Sequence, residues 1–97
     1  MFVKSIIQQE RRCLVCGSYL VEDHHIFHGT AKRKLSEKYG LKVWLCNRHH
    51  TGEAGVHSKN GHFLDLKIKK LGQQAFEYRY PELNFLKIFG RNYLDEV

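Results

Sequence analysis

The chain has 97 residues, a formal net charge of +6 at pH 7 and a sequence pI near 9.4. This length predicts a single small domain, residues 1–97, with one modest core, and the positive charge suits a polyanionic partner. Three cysteines are an odd number, the spacing of Cys13 and Cys16 is too tight for a secreted disulfide framework, and no apolar run marks a signal peptide or a membrane span. We therefore expect a cytoplasmic protein with no membrane partner.

The first part of the chain predicts an arm, a strand and a helix. Residues 1–12 fit either a short helix or a partly ordered arm. The apolar face of that helix would consist of Phe2, Ile6 and Ile7. Residues 18–21 alternate polar and apolar side chains, which predicts a short strand. A helix is expected over residues 31–39, with Thr30 as its N-cap and Gly40 as its end.

The second part predicts a strand and two helices. Residues 41–45 alternate and include β-branched and aromatic side chains, as a second strand would. Residues 63–78 predict the longest helix, and Pro81 fits the first turn of a final helix that ends at Gly90. The expected apolar positions of these helices are Leu64, Ile68, Leu71, Ala75, Phe76, Leu83, Leu86 and Phe89. The aromatic residues expected in the core are Phe76, Tyr78, Tyr80, Phe85, Phe89 and Tyr93.

Cysteine and histidine recur as two pairs with the same spacing. Two residues separate Cys13 from Cys16, and two separate Cys46 from His49. A Cys3His set of this kind holds Zn²⁺ tetrahedrally in closed structural sites, and the two pairs together predict a treble-clef zinc finger. Two alternatives remain open. The cysteines could be buried free thiols, or His50 could replace His49 as the fourth ligand.

A second group of possible ligands remains once the zinc set is removed. It consists of Asp23, His24, His25, His28, His50, His57 and His62. Adjacent histidines alone are more often surface or satisfied core residues than ligands. A histidine cluster beside a zinc site nevertheless suits an open metal position with a histidine base next to it, and that combination can hydrolyse a phosphodiester.

The runs that carry these residues resemble the zinc-containing branch of the HNH endonucleases, which share a ββα-metal (His-Me) finger. The resemblance lies in Glu22-Asp-His-His-Ile26 and Leu45-Cys-Asn-Arg-His-His50, with a Cys-x2-Cys pair before them. Longer stretches are similar to small HNH-like proteins of bacteriophages and prophages, some of them linked to recombination. These stretches are Asp23-His-His-Ile-Phe-His-Gly-Thr-Ala, Leu35-Ser-Glu-Lys-Tyr-Gly-Leu-Lys-Val-Trp-Leu-Cys46 and Ile88-Phe-Gly-Arg-Asn-Tyr-Leu94.

This resemblance covers most of residues 13–94 and implies a small α+β fold. A treble-clef finger with a ββα-metal core would occupy residues 13–57, and a helical scaffold would follow in residues 63–94. The implied setting is the cytoplasm of a bacterium or of a phage-infected host cell.

The resemblance also implies a role for each matching histidine. His25 would be the general base, and His24 and His50 would bind a catalytic divalent ion, Mg²⁺ or Mn²⁺, although Zn²⁺ or Ni²⁺ also accept imidazole ligands. His57 would be a third ligand or a phosphate contact. In the alternative register, Asp23 is the ligand and His24 the base.

The implied activity is metal-dependent endonucleolytic cleavage of DNA with low sequence specificity, in phage or prophage DNA processing or recombination. A recombination or phage protein could recruit so small an enzyme. The residues expected to hold the DNA backbone, or else to form a solvated face, are Lys32, Arg33, Lys34 and Lys38. The rival interpretation is a non-catalytic zinc-finger DNA-binding or recombination accessory module.

One position departs from the family pattern. HNH proteins carry an asparagine that orients the base, and this chain has Leu41 at that position. A backbone carbonyl or a side chain from the basic helix could take over this role, and the sequence alone does not choose between them.

Overall fold

The computed structural model describes residues 4–53, 55–59 and 61–95, and within them the protein is a small α+β fold with a two-stranded sheet. The elements in chain order are β1 (Val21–His25), α1 (Thr30–Tyr39), β2 (Lys42–Cys46), α2 (Asn47–His50), α3 (His62–Arg79) and α4 (Phe85–Phe89). No helix of this described part has the length and apolar character needed to cross a membrane.

Strands β1 and β2 pair antiparallel, with α1 inserted between them. The register sets Val21 opposite Cys46 and His25 opposite Lys42. The expected strand over residues 18–21 was wrong, because β1 begins where that segment ends. The carbonyl of Ser18 instead accepts the amide of Cys13 at 2.8 Å, so residues 18–20 close the cysteine turn rather than pair with β2.

The described part of the N-terminal segment, residues 4–12, is an arm and not a helix. It follows the outer edge of β2, where Ser5 Oγ donates to the carbonyl of Lys42 and the amide of Trp44 donates to Gln8 Oε1 at 2.8 Å. Covering an edge strand in this way removes a row of unpaired backbone groups. Phe2, which belonged to the alternative helical interpretation, lies outside the described residues.

Helix α1 is joined to the chain after β1 by a buried serine. Ser36 Oγ donates to the carbonyl of Phe27 at 2.9 Å and accepts the amide of Phe27 at 3.0 Å. The expected N-cap at Thr30 was wrong by one residue, since Gly29 occupies that position and no side chain caps the helix. Gly40 ends the helix in the left-handed conformation, as expected.

Helix α3 buries Ile68 and Phe76, as expected, but the buried face is shifted from the expected one. Leu66 is buried as well, whereas Leu71 is 37% exposed. The reason is Gly72, because a Cβ atom there would lie 3.1 Å from the side chain of Ile26. The missing side chain lets the helix approach the end of β1 closely, and this contact determines which face turns inward.

The C-terminal core is aromatic. The ring of Phe27 lies 4.8 to 5.3 Å, between centroids, from those of Phe85, Phe89 and Tyr93, and all four residues are buried. Tyr78 was expected in this core but is 90% exposed.

Helix α4 begins later than expected. Asn84 caps it by accepting the amide of Lys87, so Pro81 lies in the preceding turn rather than in the first turn of the helix. Leu83 and Leu86 are consequently exposed, which corrects their assignment to the apolar face.

Replacement of Gly40 by alanine is expected to destabilise the protein more than replacement of Gly90. Both glycines are left-handed, with φ of 72° and 77°, which costs an alanine about 1–2 kcal/mol. At Gly40 the new Cβ would also lie 2.5 Å from the carbonyl oxygen of Lys4, which adds about 1–3 kcal/mol, whereas it would meet nothing within 4 Å at Gly90. Urea unfolding of the two variants in the same zinc-containing buffer measures the difference. Equal losses would contradict the packing of the arm against Gly40.

Candidate metal centres

The first candidate centre brings together the four residues of the paired motif. Cys13 and Cys16 lie in the turn before β1, Cys46 ends β2, and His49 lies in α2. Each contributes one ligand atom, and all four atoms lie within 4.8 Å of one another. The three cysteines are free thiols rather than disulfide partners.

The separations of these atoms match a tetrahedral zinc site. Bonds of about 2.3 Å to sulfur and about 2.0 Å to nitrogen place two sulfurs about 3.8 Å apart, and a sulfur and a nitrogen about 3.5 Å apart. The observed distances are 3.6 Å between the sulfurs of Cys16 and Cys46, and 3.7 Å and 3.2 Å from His49 Nδ1 to the sulfurs of Cys13 and Cys46. The cluster could therefore bind a metal such as zinc.

The thiols differ in their readiness to ionise. Burial opposes ionisation of Cys13, but the backbone amides of Cys46, Cys16 and Val15 outweigh it and lower the pKa of Cys13 to about 6. At Cys16 the amide of Ser18 favours the thiolate, yet desolvation and the neighbouring sulfurs raise its pKa. Several thiolates cannot share so small a space without a cation, and a divalent metal would relieve that repulsion.

The second candidate centre is a histidine triad. His24 near the end of β1, His50 at the end of α2 and His57 in the following loop each offer one ring nitrogen within 4.8 Å of the others. Their ring centroids are 5.0 to 5.2 Å apart. The amide of His57 donates to the carbonyl of His50 at 3.1 Å, and this contact holds the loop beside the helix.

Neutral imidazole is the form that binds metal, and the triad favours it. Burial first, and then the imidazoles of His50, His57 and His28, lower the pKa of His24 to about 3. Burial also lowers the pKa of His57. The residue His24 is 2% exposed, and its Nε2 has no hydrogen-bond partner among the described residues. A buried nitrogen without a partner is costly, so this arrangement fits a metal ligand.

Two carboxylates that sequence reasoning missed lie next to histidines of this region. Glu22 Oε1 lies 3.1 Å from His50 Nδ1, the arrangement in which a carboxylate orients a metal-binding histidine through its other nitrogen. Asp65 Oδ1 lies 3.7 Å from His28 Nε2. The alternation of side chains along β1 predicts that Glu22 and His24 share one face. The positions of α2, which carries His50, and of α3, which carries Asp65, depend on the tertiary fold.

His25 is on the other side of β1 from His24, and both reach the same open cleft because β1 ends there. The cleft has a volume of about 930 Å³ and is also lined by His50, His57 and Glu37. Asp23 lines its rim but is exposed and does not belong to the histidine triad. The alternative register, with Asp23 as ligand, therefore has less geometric support than the register with His24.

The basic residues of α1 divide into two groups. Arg33 and Lys34 line the cleft of the triad, as a phosphate-binding role requires. Lys32 and Lys38 do not line it, and the ammonium of Lys38 lies 5.3 Å from the ring of Tyr39.

Leu41 is fully buried, and its carbonyl accepts the amide of Ile26 at 3.0 Å.

Comparison of the chain with protein-family models, with curated proteins and with solved structures gives no match in any of the three. A functional assignment therefore depends on the geometry of these side chains.

Replacing His49 by alanine is expected to abolish zinc binding by the thiol cluster, whereas replacing its neighbour His50 is expected to preserve it. Of the two histidines, His49 contacts the thiol cluster and His50 does not. Loss of a structural ligand should lower the melting temperature by more than about 5 °C. Metal analysis after dialysis against a weak chelator, together with thermal unfolding, makes the comparison. Zinc lost from His50→Ala but retained in His49→Ala would reverse the assignment.

Proposed function

We propose that the protein is a metal-dependent DNA endonuclease of the HNH type, in which a treble-clef zinc finger carries a ββα-metal core. The observation that carries this proposal is the adjacency of two donor clusters across one short helix. His49 belongs to the thiol cluster and His50 to the histidine triad, although they are consecutive residues of α2. Successive residues of a helix point about 100° apart, so one turn can serve both centres.

The order of the elements also supports the proposal. Strands β1 and β2 pair with each other, and α2 packs on both of them. In this proposal the two strands and α2 serve as the ββα unit, with His24 on its first strand and His50 on its helix. The thiol cluster lies at the end of β2, where it would hold the strands and α2 together. This support matters because two strands alone are marginally stable in water.

His25 is suited to the role of general base. It lies next to the triad residue His24 in the chain and lines the same cleft. In the proposed reaction it takes one proton from a water molecule, the water oxygen bonds to phosphorus, and the bond from phosphorus to the 3′ oxygen breaks. The leaving oxygen takes a proton from solvent.

A divalent ion held by His24, His50 and His57, Mg²⁺ or Mn²⁺ in this proposal, would supply Lewis-acid stabilisation of the charge that develops on the phosphate. The chain itself supplies the remaining functions. Arg33 and Lys34 contact the phosphates that flank the reacting one, since they line the same cleft. Phosphate contacts carry no base information, so cleavage has low sequence specificity. The biological setting we propose is phage or prophage DNA processing or recombination.

Substitution of His25 by alanine is expected to lower the rate of DNA cleavage by about 100-fold or more, the usual contribution of a general base. Zinc content and folding should be unchanged. The assay uses plasmid and single-stranded DNA with Mg²⁺ or Mn²⁺. His62→Ala is the matched control, because His62 is exposed and lies outside the cleft, and it should cleave at the wild-type rate. Undiminished cleavage by the His25 variant would remove it from the proposed role.

The same assay tests the alternatives. DNA binding with a strong salt dependence but no cleavage under any metal would favour the non-catalytic DNA-binding or recombination accessory module. An absence of DNA affinity even at low salt would exclude both and favour a zinc domain that contacts proteins.

Neutralising the two cleft cations should weaken DNA binding without changing its sequence preference. For Arg33→Gln/Lys34→Gln we expect the slope of log affinity against log salt to become shallower by about 2, near 0.9 for each lost phosphate contact. Lys67→Gln/Lys87→Gln is the control, since both lysines are exposed and neither lines the cleft. Fluorescence anisotropy with a labelled duplex measures both slopes. Equal changes in the two double variants would show that only net charge matters.

A further inference from the structure

The ring of His25 is held by a carboxylate from the basic helix. Glu37 Oε1 lies 3.0 Å from His25 Nε2, and both side chains are largely covered, with exposures of 34% and 16%. The preceding residue of α1, Ser36, is hydrogen-bonded in both directions to the backbone of Phe27. The helix turn that carries Glu37 is therefore fixed against the chain that follows His25.

The second oxygen of the same carboxylate is also engaged. Glu37 Oε2 lies 3.0 Å from the ammonium of Lys42, whose side chain is only 5% exposed. Lys42 is the cross-strand partner of His25 in the sheet. A buried ammonium needs a nearby negative charge, so Lys42 favours the ionised form of Glu37 and orients it between the two strands.

These contacts determine which nitrogen of His25 carries its proton. An ionised carboxylate only accepts hydrogen bonds, so the contact with Glu37 requires a hydrogen on His25 Nε2. A neutral imidazole then has its lone pair on Nδ1.

We propose that Glu37 is the positioning residue of the site, holding His25 in the Nε2–H tautomer so that Nδ1 accepts the proton of the attacking water. The catalytic part of this inference rests on the proposed nuclease function, whereas the tautomer does not. Glu37 thereby performs the orienting role that the chain cannot obtain from the side chain at position 41. Leu41 is apolar, and its carbonyl is bonded to the amide of Ile26.

The tautomer can be read directly by ¹⁵N NMR of histidine-labelled, zinc-loaded protein near neutral pH without DNA. The His25 signals are assigned by their loss in His25→Ala. In the wild type we expect Nε2 to have the shift of a protonated nitrogen and Nδ1 that of an unprotonated one. The reverse pattern in the wild type would overturn the proposal, even if no variant were made.

Glu37→Gln is expected to invert the tautomer. Lys42 is a donor only and will bind the amide oxygen, so the amide NH₂ group turns toward His25. Nε2 must then accept, and the proton moves to Nδ1. Glu82→Gln is the matched control, because Glu82 is exposed and lies outside the cleft, and it should leave the His25 signals unchanged. An unchanged tautomer in folded Glu37→Gln would overturn the proposal.

The kinetic counterpart separates positioning from a purely structural role. For Glu37→Gln we expect kcat for DNA cleavage to fall by about 100-fold or more, with KM and zinc content little changed. A raised KM with unchanged kcat would contradict positioning. If the wild type cuts no DNA, the nuclease proposal fails and the NMR result still decides the Glu37–His25 contact. If the wild type cuts and Glu37→Gln cuts equally well, the nuclease proposal stands and the role of Glu37 fails.

Discussion

The contact of Cys46 and His49 with Cys13 and Cys16 is the constraint on which the rest of the site depends. Helix α2 has only four residues and forms too few internal hydrogen bonds to be stable alone. One of its faces is fixed by the sulfurs of Cys13, Cys16 and Cys46. Its other face presents His50 to Glu22 and His24. The position of the histidine triad therefore follows from that of the thiol cluster, and a metal in the thiol cluster would stabilise both.

The parts that could be predicted from sequence are those encoded by short spacing. Two pairs of ligand residues, each with two residues between its members, were enough to predict the thiol cluster. Gly40 was enough to predict the end of α1. The triad of His24, His50 and His57 was expected only through a family resemblance, because its members come from a strand, a helix and a loop. The structure brings those three rings together, while the activity inferred from them stays a prediction.

The parts that could not be predicted depend on how the elements pack. Periodicity placed Leu71 on the buried face of α3, but the close approach of Gly72 to Ile26 rotates the helix. Glu37 differs from the charged residues around it because it is the one carboxylate of an otherwise basic helix. The local sequence does not show what this carboxylate contacts, because its partners His25 and Lys42 become neighbours only when β1 pairs with β2.

The distribution of carboxylates suggests why the cleft is suited to a cation rather than to protons. Three histidines each have an acidic neighbour: Glu37 at His25 and Glu22 at His50 lie within hydrogen-bonding distance, and Asp65 lies 3.7 Å from His28. A carboxylate that accepts the N–H of an imidazole leaves the other ring nitrogen with a lone pair. His24, at the centre, is buried with Nε2 lacking a partner among the described residues, and its pKa of about 3 keeps it neutral near pH 7. His24, His50 and His57 therefore bring three ring nitrogens together in a place where burial opposes the protonation of His24 and His57. A divalent ion could bind all three nitrogens at once, whereas a proton can bind only one, so the arrangement could hold a metal.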